Sequence, residues 1–188
     1  PFSTGGCCGM NYEKLEKNIV DVIKEQQAKL GYMREKVRLY YPLSSLNHFF
    51  GTEENAEGMA RILEEFCCRV KDRLGNVKIS ENSGRFCFLI PEEGAEYVHG
   101  LAGEGDFITE LIDLVREHGC TIGQIRELFE AHSDKVCFEK TDNGEFDYLL
   151  RFEDEPQDEY VYCFKDEGGH MTYHRFLPED YEEFGFGE

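Results

Sequence analysis

The stretch YVYCFKDEGGHMTYHRF, residues 160–176, holds two short aromatic-rich runs on either side of Lys165-Asp166-Glu167-Gly168-Gly169. Runs of β-branched and aromatic residues around a Gly-containing break are the pattern of a β-hairpin. With residues 166–169 as the loop, Lys165 would pair with His170, Cys163 with Thr172 and Val161 with His174. Side chains alternate across a strand, so one face carries Tyr162, Phe164, Met171 and Tyr173 and reads as core. The other face carries Cys163, His170, Thr172 and His174 and reads as a polar surface or a site.

The same grammar recurs upstream. KVCFEK and EFDYLLRF flank Thr141-Asp142-Asn143-Gly144, and Asn-Gly is a strong hairpin signal. VKIS and RFCFLIP flank ENSG, with Gly84 closing the turn. The earlier part of the chain changes period. Residues 12–30 carry a helical stripe of Leu15, Ile19, Val22, Ile23 and Leu30, ended by Gly31. Residues 33–41 read as a second helix through Met33, Val37 and Tyr40, stopped by Pro42. LSSLNHFFG reads as a short helix capped by Ser44 or Ser45, and Thr52 as the cap of the next segment. Met59, Ile62, Leu63, Phe66, Val70 and Leu74 mark the clearest helix. A short helix follows Pro91, and Asp106 and Thr121 are expected to cap two more.

Helices first and hairpins later, with short local connections, predict an α+β fold. The expected architecture is an N-terminal helical layer packed on an antiparallel sheet built from the C-terminal hairpins. The order helix, turn, helix, hairpin over residues 106–152 adds a winged-helix-like unit to that picture. Residues 1–9, PFSTGGCCG, read as a cloning remnant or leader. Residues 10–188 then form a single α+β domain, with 10–75 mainly helical and 76–188 mixed and strand-rich.

With 188 residues, 40% of them hydrophobic, the chain has enough apolar surface for a core without metal or disulfide. Beyond Cys7 and Cys8 the cysteines are Cys67, Cys68, Cys87, Cys120, Cys137 and Cys163, with no C-x-x-C among them. They read as free thiols of a reducing cytoplasm. The net charge of −19 is uneven. Residues 1–91 hold 13 Lys+Arg against 12 Asp+Glu, whereas residues 92–188 hold 7 against 27. Such a half repels nucleic acid and attracts basic partners. The expected partner is therefore a basic protein, with no nucleic acid and no membrane. The reader helix of a winged helix would present Gln124, Arg126, Glu127 and Glu130, and the acid there argues against DNA. The carboxylates of EDEPQDE, residues 153–159, lack EF-hand spacing and read as a solvated loop.

The candidate pocket or ligand-binding set is Cys163, His170, Thr172, His174 and Arg175. Arg175 is expected to point with Tyr173 toward the core and to need a carboxylate, for which Glu179 and Asp180 are at hand. Metal binding by Cys163, His170 and His174 is the weak alternative, because no fourth ligand and no H-E-x-x-H accompanies them. No cofactor fingerprint is present, and no catalytic residue can be assigned.

YYPLSSLNHFFG and EGGHMTYHRFLPEDYEEF resemble an uncharacterised family of small bacterial proteins of the clostridial type, over Met10 to about Phe184. The resemblance implies a bacterial cytoplasmic setting and carries over no activity and no site residue. Two readings of function remain open at this point. One is a non-enzymatic interaction or accessory module using the acidic C-terminal half. The other is a small-molecule or enzyme site around His170, His174, Arg175 and Cys163.

Overall fold

The computed structural model describes residues 11–103, 105–154 and 158–183. Among these there are two antiparallel sheets, and the chain divides into two compact units between residues 104 and 105. The fold is α+β. Where the sequence predicts one C-terminal sheet under an N-terminal helical layer, each unit instead has its own sheet and its own helices.

The first unit runs α1 (Tyr12–Leu30), β1 (Val37–Pro42), α2 (Leu43–Phe50), α3 (Ala56–Leu74), β2 (Lys78–Asn82), β3 (Arg85–Ile90) and α4 (Glu92–Leu101). Its sheet order is β1-β3-β2. The predicted hairpin is present, with Ser83 and Gly84 both at positive φ (53° and 76°), the backbone of a type I′ turn. Residues 37–42 correct the sequence reading, since they form a strand rather than a helix. Val37, Leu39 and Tyr41 are buried and alternate with exposed Arg38 and Tyr40. That period of two is realised by pairing with β3, Val37 opposite Ile90 and Tyr41 opposite Phe86. Helix α2 is preceded by Pro42 without a side-chain cap, and α3 is capped by Asn55, not Thr52. The sheet's inner side and the helices enclose Leu15, Ile19, Leu63, Phe66, Phe86 and Phe88, all essentially without exposure.

The second unit runs α5 (Phe107–Arg116), α6 (Ile122–His132), β4 (Val136–Lys140), β5 (Tyr148–Phe152), β6 (Val161–Asp166), β7 (Met171–Phe176) and α7 (Pro178–Glu183). The strands form one four-stranded meander, β4-β5-β6-β7. Helix, helix, hairpin is thus the observed order, with the hairpin extended by two more strands. Thr121 forms the full capping box with Gln124 at the start of α6. Asp106 occupies the N-cap of α5, but its carboxylate takes the Thr109 hydroxyl at 3.2 Å instead of a backbone N–H. The β4–β5 connection is longer than Thr141–Gly144. Asn143 Oδ1 accepts from the N–H groups of Glu145 (3.0 Å) and Phe146 (2.9 Å), so β5 begins only at Tyr148. Phe129, with Phe107, Phe152, Tyr162 and Phe164 around it, forms the aromatic core between α5–α6 and the sheet.

Candidate functional site

The final hairpin forms over β6 and β7, in a register two residues away from the predicted one. Cys163 faces His174, Lys165 faces Thr172, and Val161 faces Phe176. A shift of two preserves the faces. Cys163, Thr172 and His174 do share one face, and Tyr162, Phe164, Tyr173 and Arg175 share the other. His170 precedes β7 in the turn, where its carbonyl accepts from Glu167 N–H at 2.8 Å. Its ring lies 6.5 Å from that of His118.

The Cys163 face is not an open polar surface. Strand β6 is buried on both sides, because a second small core covers it with Phe146 from the β4–β5 turn and Tyr181 from α7. Cys163 has no exposure, while His174 is exposed, with its ring stacked on Phe176 and tilted against Phe146. Arg175 is on the opposite face, 4.3 Å from the centre of the Tyr160 ring. The Tyr162 hydroxyl there donates to Asp158 Oδ2 at 2.8 Å. Burial, reinforced by Asp158, raises the Tyr162 pKa well above normal, and Arg175 pulls the other way. The predicted set therefore splits into a buried thiol with a surface histidine, a turn histidine, and an arginine built into an aromatic cluster. Among the described residues no group of three His, Cys, Asp or Glu side chains could hold a metal ion.

A cleft does exist on the Cys163 face, nearer β4. Cys137, Glu139, Leu149, Arg151, Val161 and Tyr181 line it. It was not anticipated from sequence, because a tight turn over Thr141–Gly144 would have set Cys137 opposite Tyr148, whereas the longer connection sets Cys137 opposite Arg151 and Glu139 opposite Leu149. Its cavity volume of about 80 Å³ is far below the roughly 300–1,000 Å³ of an ordinary ligand pocket. The Cys137 thiol donates to Glu139 Oε1 at 3.3 Å, and burial with that carboxylate raises its pKa. A thiol held protonated is a poor nucleophile. The cleft could seat a small ion or polar group between Arg151 and Glu139.

Burial pushes the Cys163 thiol up to about 12 from its usual 9. The folded state thus holds this proton more tightly than the unfolded chain. The resulting stability is intact below about pH 9 and is lost as pH rises toward about 12. Urea midpoints followed by far-UV circular dichroism should fall across that alkaline window, and less steeply in Cys163→Ala. Identical alkaline slopes in the two proteins would contradict the assignment.

Carboxylates dominate one end of the second sheet. The β4–β5 and β6–β7 turns lie side by side there, because Asp147 Oδ2 accepts the Asp166 N–H at 2.9 Å. Lys165 Nζ reaches Asp147 Oδ1 at 3.3 Å. The Asp166 N–H, followed by Lys165, holds the Asp147 carboxyl below its usual range. Asp142, Glu145, Asp166 and Glu167 are exposed on these turns. None of Asp142, Glu145 and Glu167 forms an ion pair with a described residue. Elsewhere in the unit Arg116 is engaged by Asp113 and Arg126 by Glu130.

These features define a two-unit α+β protein whose C-terminal unit displays acidic turns over a closed, apolar interior. Residues 12–185 match the family model described as "Domain of unknown function, E. rectale Gene description (DUF3877)", and the chain belongs to that family. No curated protein and no solved structure matches it. No helix among the described residues is long and apolar enough to cross a membrane.

Proposed function

We propose that this protein is a non-enzymatic accessory module of the bacterial cytoplasm whose acidic C-terminal half engages a basic protein partner. The observation that carries this reading is the pair of ordered turns bearing Asp142, Glu145, Asp166 and Glu167 at one end of the second sheet. Ordered turns lose little conformational freedom on binding, and like charge concentrated on them steers a cationic partner. The closed Cys163 face and the small Cys137 cleft support a binding role over a catalytic one.

The test is cross-linking in a lysate of a bacterium that carries the family, identification of the captured protein, and titration of the purified pair. Binding should weaken steeply between about 0.05 and 0.5 M salt, where the screening length falls from roughly 14 to 4 Å. The combined variant Asp142→Asn, Glu145→Gln, Asp166→Asn, Glu167→Gln should lose on the order of tenfold or more in affinity. A partner that is not basic, or binding indifferent to salt and to these four changes, would sink the proposal.

A further inference from the structure

The first unit carries a surface of the opposite character. On the side of its sheet away from the helices, β1 and β3 present Arg38, Tyr40, Arg85, Cys87 and Leu89, and β2 presents Lys78, Ser80 and Asn82. No strand residue on this side is acidic. Arg38, Lys78 and Arg85 are exposed, and no described residue forms an ion pair with any of them. Arg85 leans over the Tyr40 ring at 5.7 Å, and Tyr40 is 56% exposed. In a chain of net charge −19, an acid-free patch with three unneutralised cations is a local reversal.

The patch ends at an open edge. β1 is the terminal strand of its sheet, and its outer N–H and C=O groups have no strand partner among the described residues. Such an edge is a template for a further strand. On the helix side of that edge lies a shallow groove lined by Ile23, Leu30, Met33 and Val37, with Gln26, Gln27 and Glu35 completing it. Leu30 is 72% and Met33 59% exposed, the two largest exposures among the big apolar side chains described.

An added strand sends alternate side chains to opposite faces. One set would lie beside the Leu30–Met33–Val37 groove. The other would lie beside Arg38 and Tyr40, with Arg85 and Lys78 one and two strands further in, at roughly 10 and 15 Å for strands about 4.8 Å apart. We propose that the free edge of β1 docks an extended segment of a partner protein in which apolar and acidic residues alternate. This surface is separate from the acidic turns, and its failure would leave the reading of those turns untouched. The commitment to an acidic–apolar strand rests on charge complementarity on one face and exposed apolar surface on the other. A single exposed aromatic gives single-stranded nucleic acid little to stack on.

The probe is a fluorescein-labelled heptapeptide of alternating valine and glutamate, titrated by anisotropy against the full chain. Two controls accompany it: the valine–lysine counterpart, and the valine–glutamate peptide N-methylated along one edge. The valine–glutamate peptide should saturate and should slow amide exchange across residues 37–42, and neither control should bind. Arg38→Glu and, separately, Met33→Asp should each weaken binding on the order of tenfold. Both side chains are exposed, and unchanged circular dichroism confirms that the variants fold. No saturation, equal binding of the lysine peptide, or indifference to N-methylation overturns the proposal. So does concentration-dependent dimerisation lost in Arg38→Glu, which makes a second copy the occupant, or binding of oligouridylate in place of the peptide.

Discussion

Phe129→Ala is expected to cost about 3–5 kcal/mol and to unfold the second unit at temperatures where the first is intact. Phe129 has no exposure. Its ring centre is 4.8 Å from those of Phe107 and Phe152, 5.2 Å from Tyr162 and 6.3 Å from Phe164. It joins α6 to two strands, β5 and β6, and to α5 at once, so truncation removes one side of each contact. Aromatic neighbours of fixed shape collapse poorly into the space left behind, which places the cost at the upper end for core truncations. Phe129→Leu, which keeps most of the volume, should cost less than half as much. The chain has no tryptophan, so hydrogen exchange resolved by peptide is the suitable measurement. A loss of protection confined to segments beyond residue 105 is the expected result.

The second large effect runs against intrinsic propensity. Gly94→Ala replaces glycine within the first turn of α4, where alanine normally adds about 1 kcal/mol of helix stability. Here a Cβ would press into the carbonyl oxygen of Leu74, and would come 2.7 Å from Ile90 Cγ2 and 3.0 Å from the Leu74 carbonyl carbon. Two of these three atoms are backbone at the end of α3 and cannot rotate away. The substitution must therefore push α4 off the end of α3, and a net loss of about 2–3 kcal/mol is expected. Urea denaturation should show a lower midpoint, and exchange should quicken in α3, β3 and α4. A midpoint equal to or above that of the unaltered protein would show that the helices have room to part.

Much of this architecture was legible because it is local. The β2–β3 and β6–β7 hairpins announce themselves in alternation around glycine-bearing turns, and Thr121 and Gln124 cap α6 within four residues of one another. What escaped depends on distant partners. Met33, Val37 and Tyr40 fit a helical spacing as well as Val37, Leu39 and Tyr41 fit a strand, and only β3, far along the chain, decides between them. The division into two sheets is hidden for the same reason. In the candidate site the alternation of faces was readable, because parity survives a two-residue slip in register. The character of the Cys163 face was not. Thr172 and His174 make it look polar, and the residues that close it, Phe146 and Tyr181, come from a turn and a terminal helix whose packing no local pattern encodes. The Cys137–Arg151 cleft depends on the β4–β5 register, which the longer turn around Asn143 shifts from the obvious one.

The most direct test of the account is hydrogen exchange on the full chain in stepped urea, comparing the unaltered protein with Phe129→Ala and Phe66→Ala. Phe66 is the fully buried ring that packs against Tyr12 and Phe88 in the first unit. Two cores predict two transitions: Phe129→Ala moves only the one reported by α6 and β5–β7, and Phe66→Ala only the one reported by α1, α3 and β3. A single transition that both substitutions lower together, across every segment, would contradict a chain built from two self-contained cores.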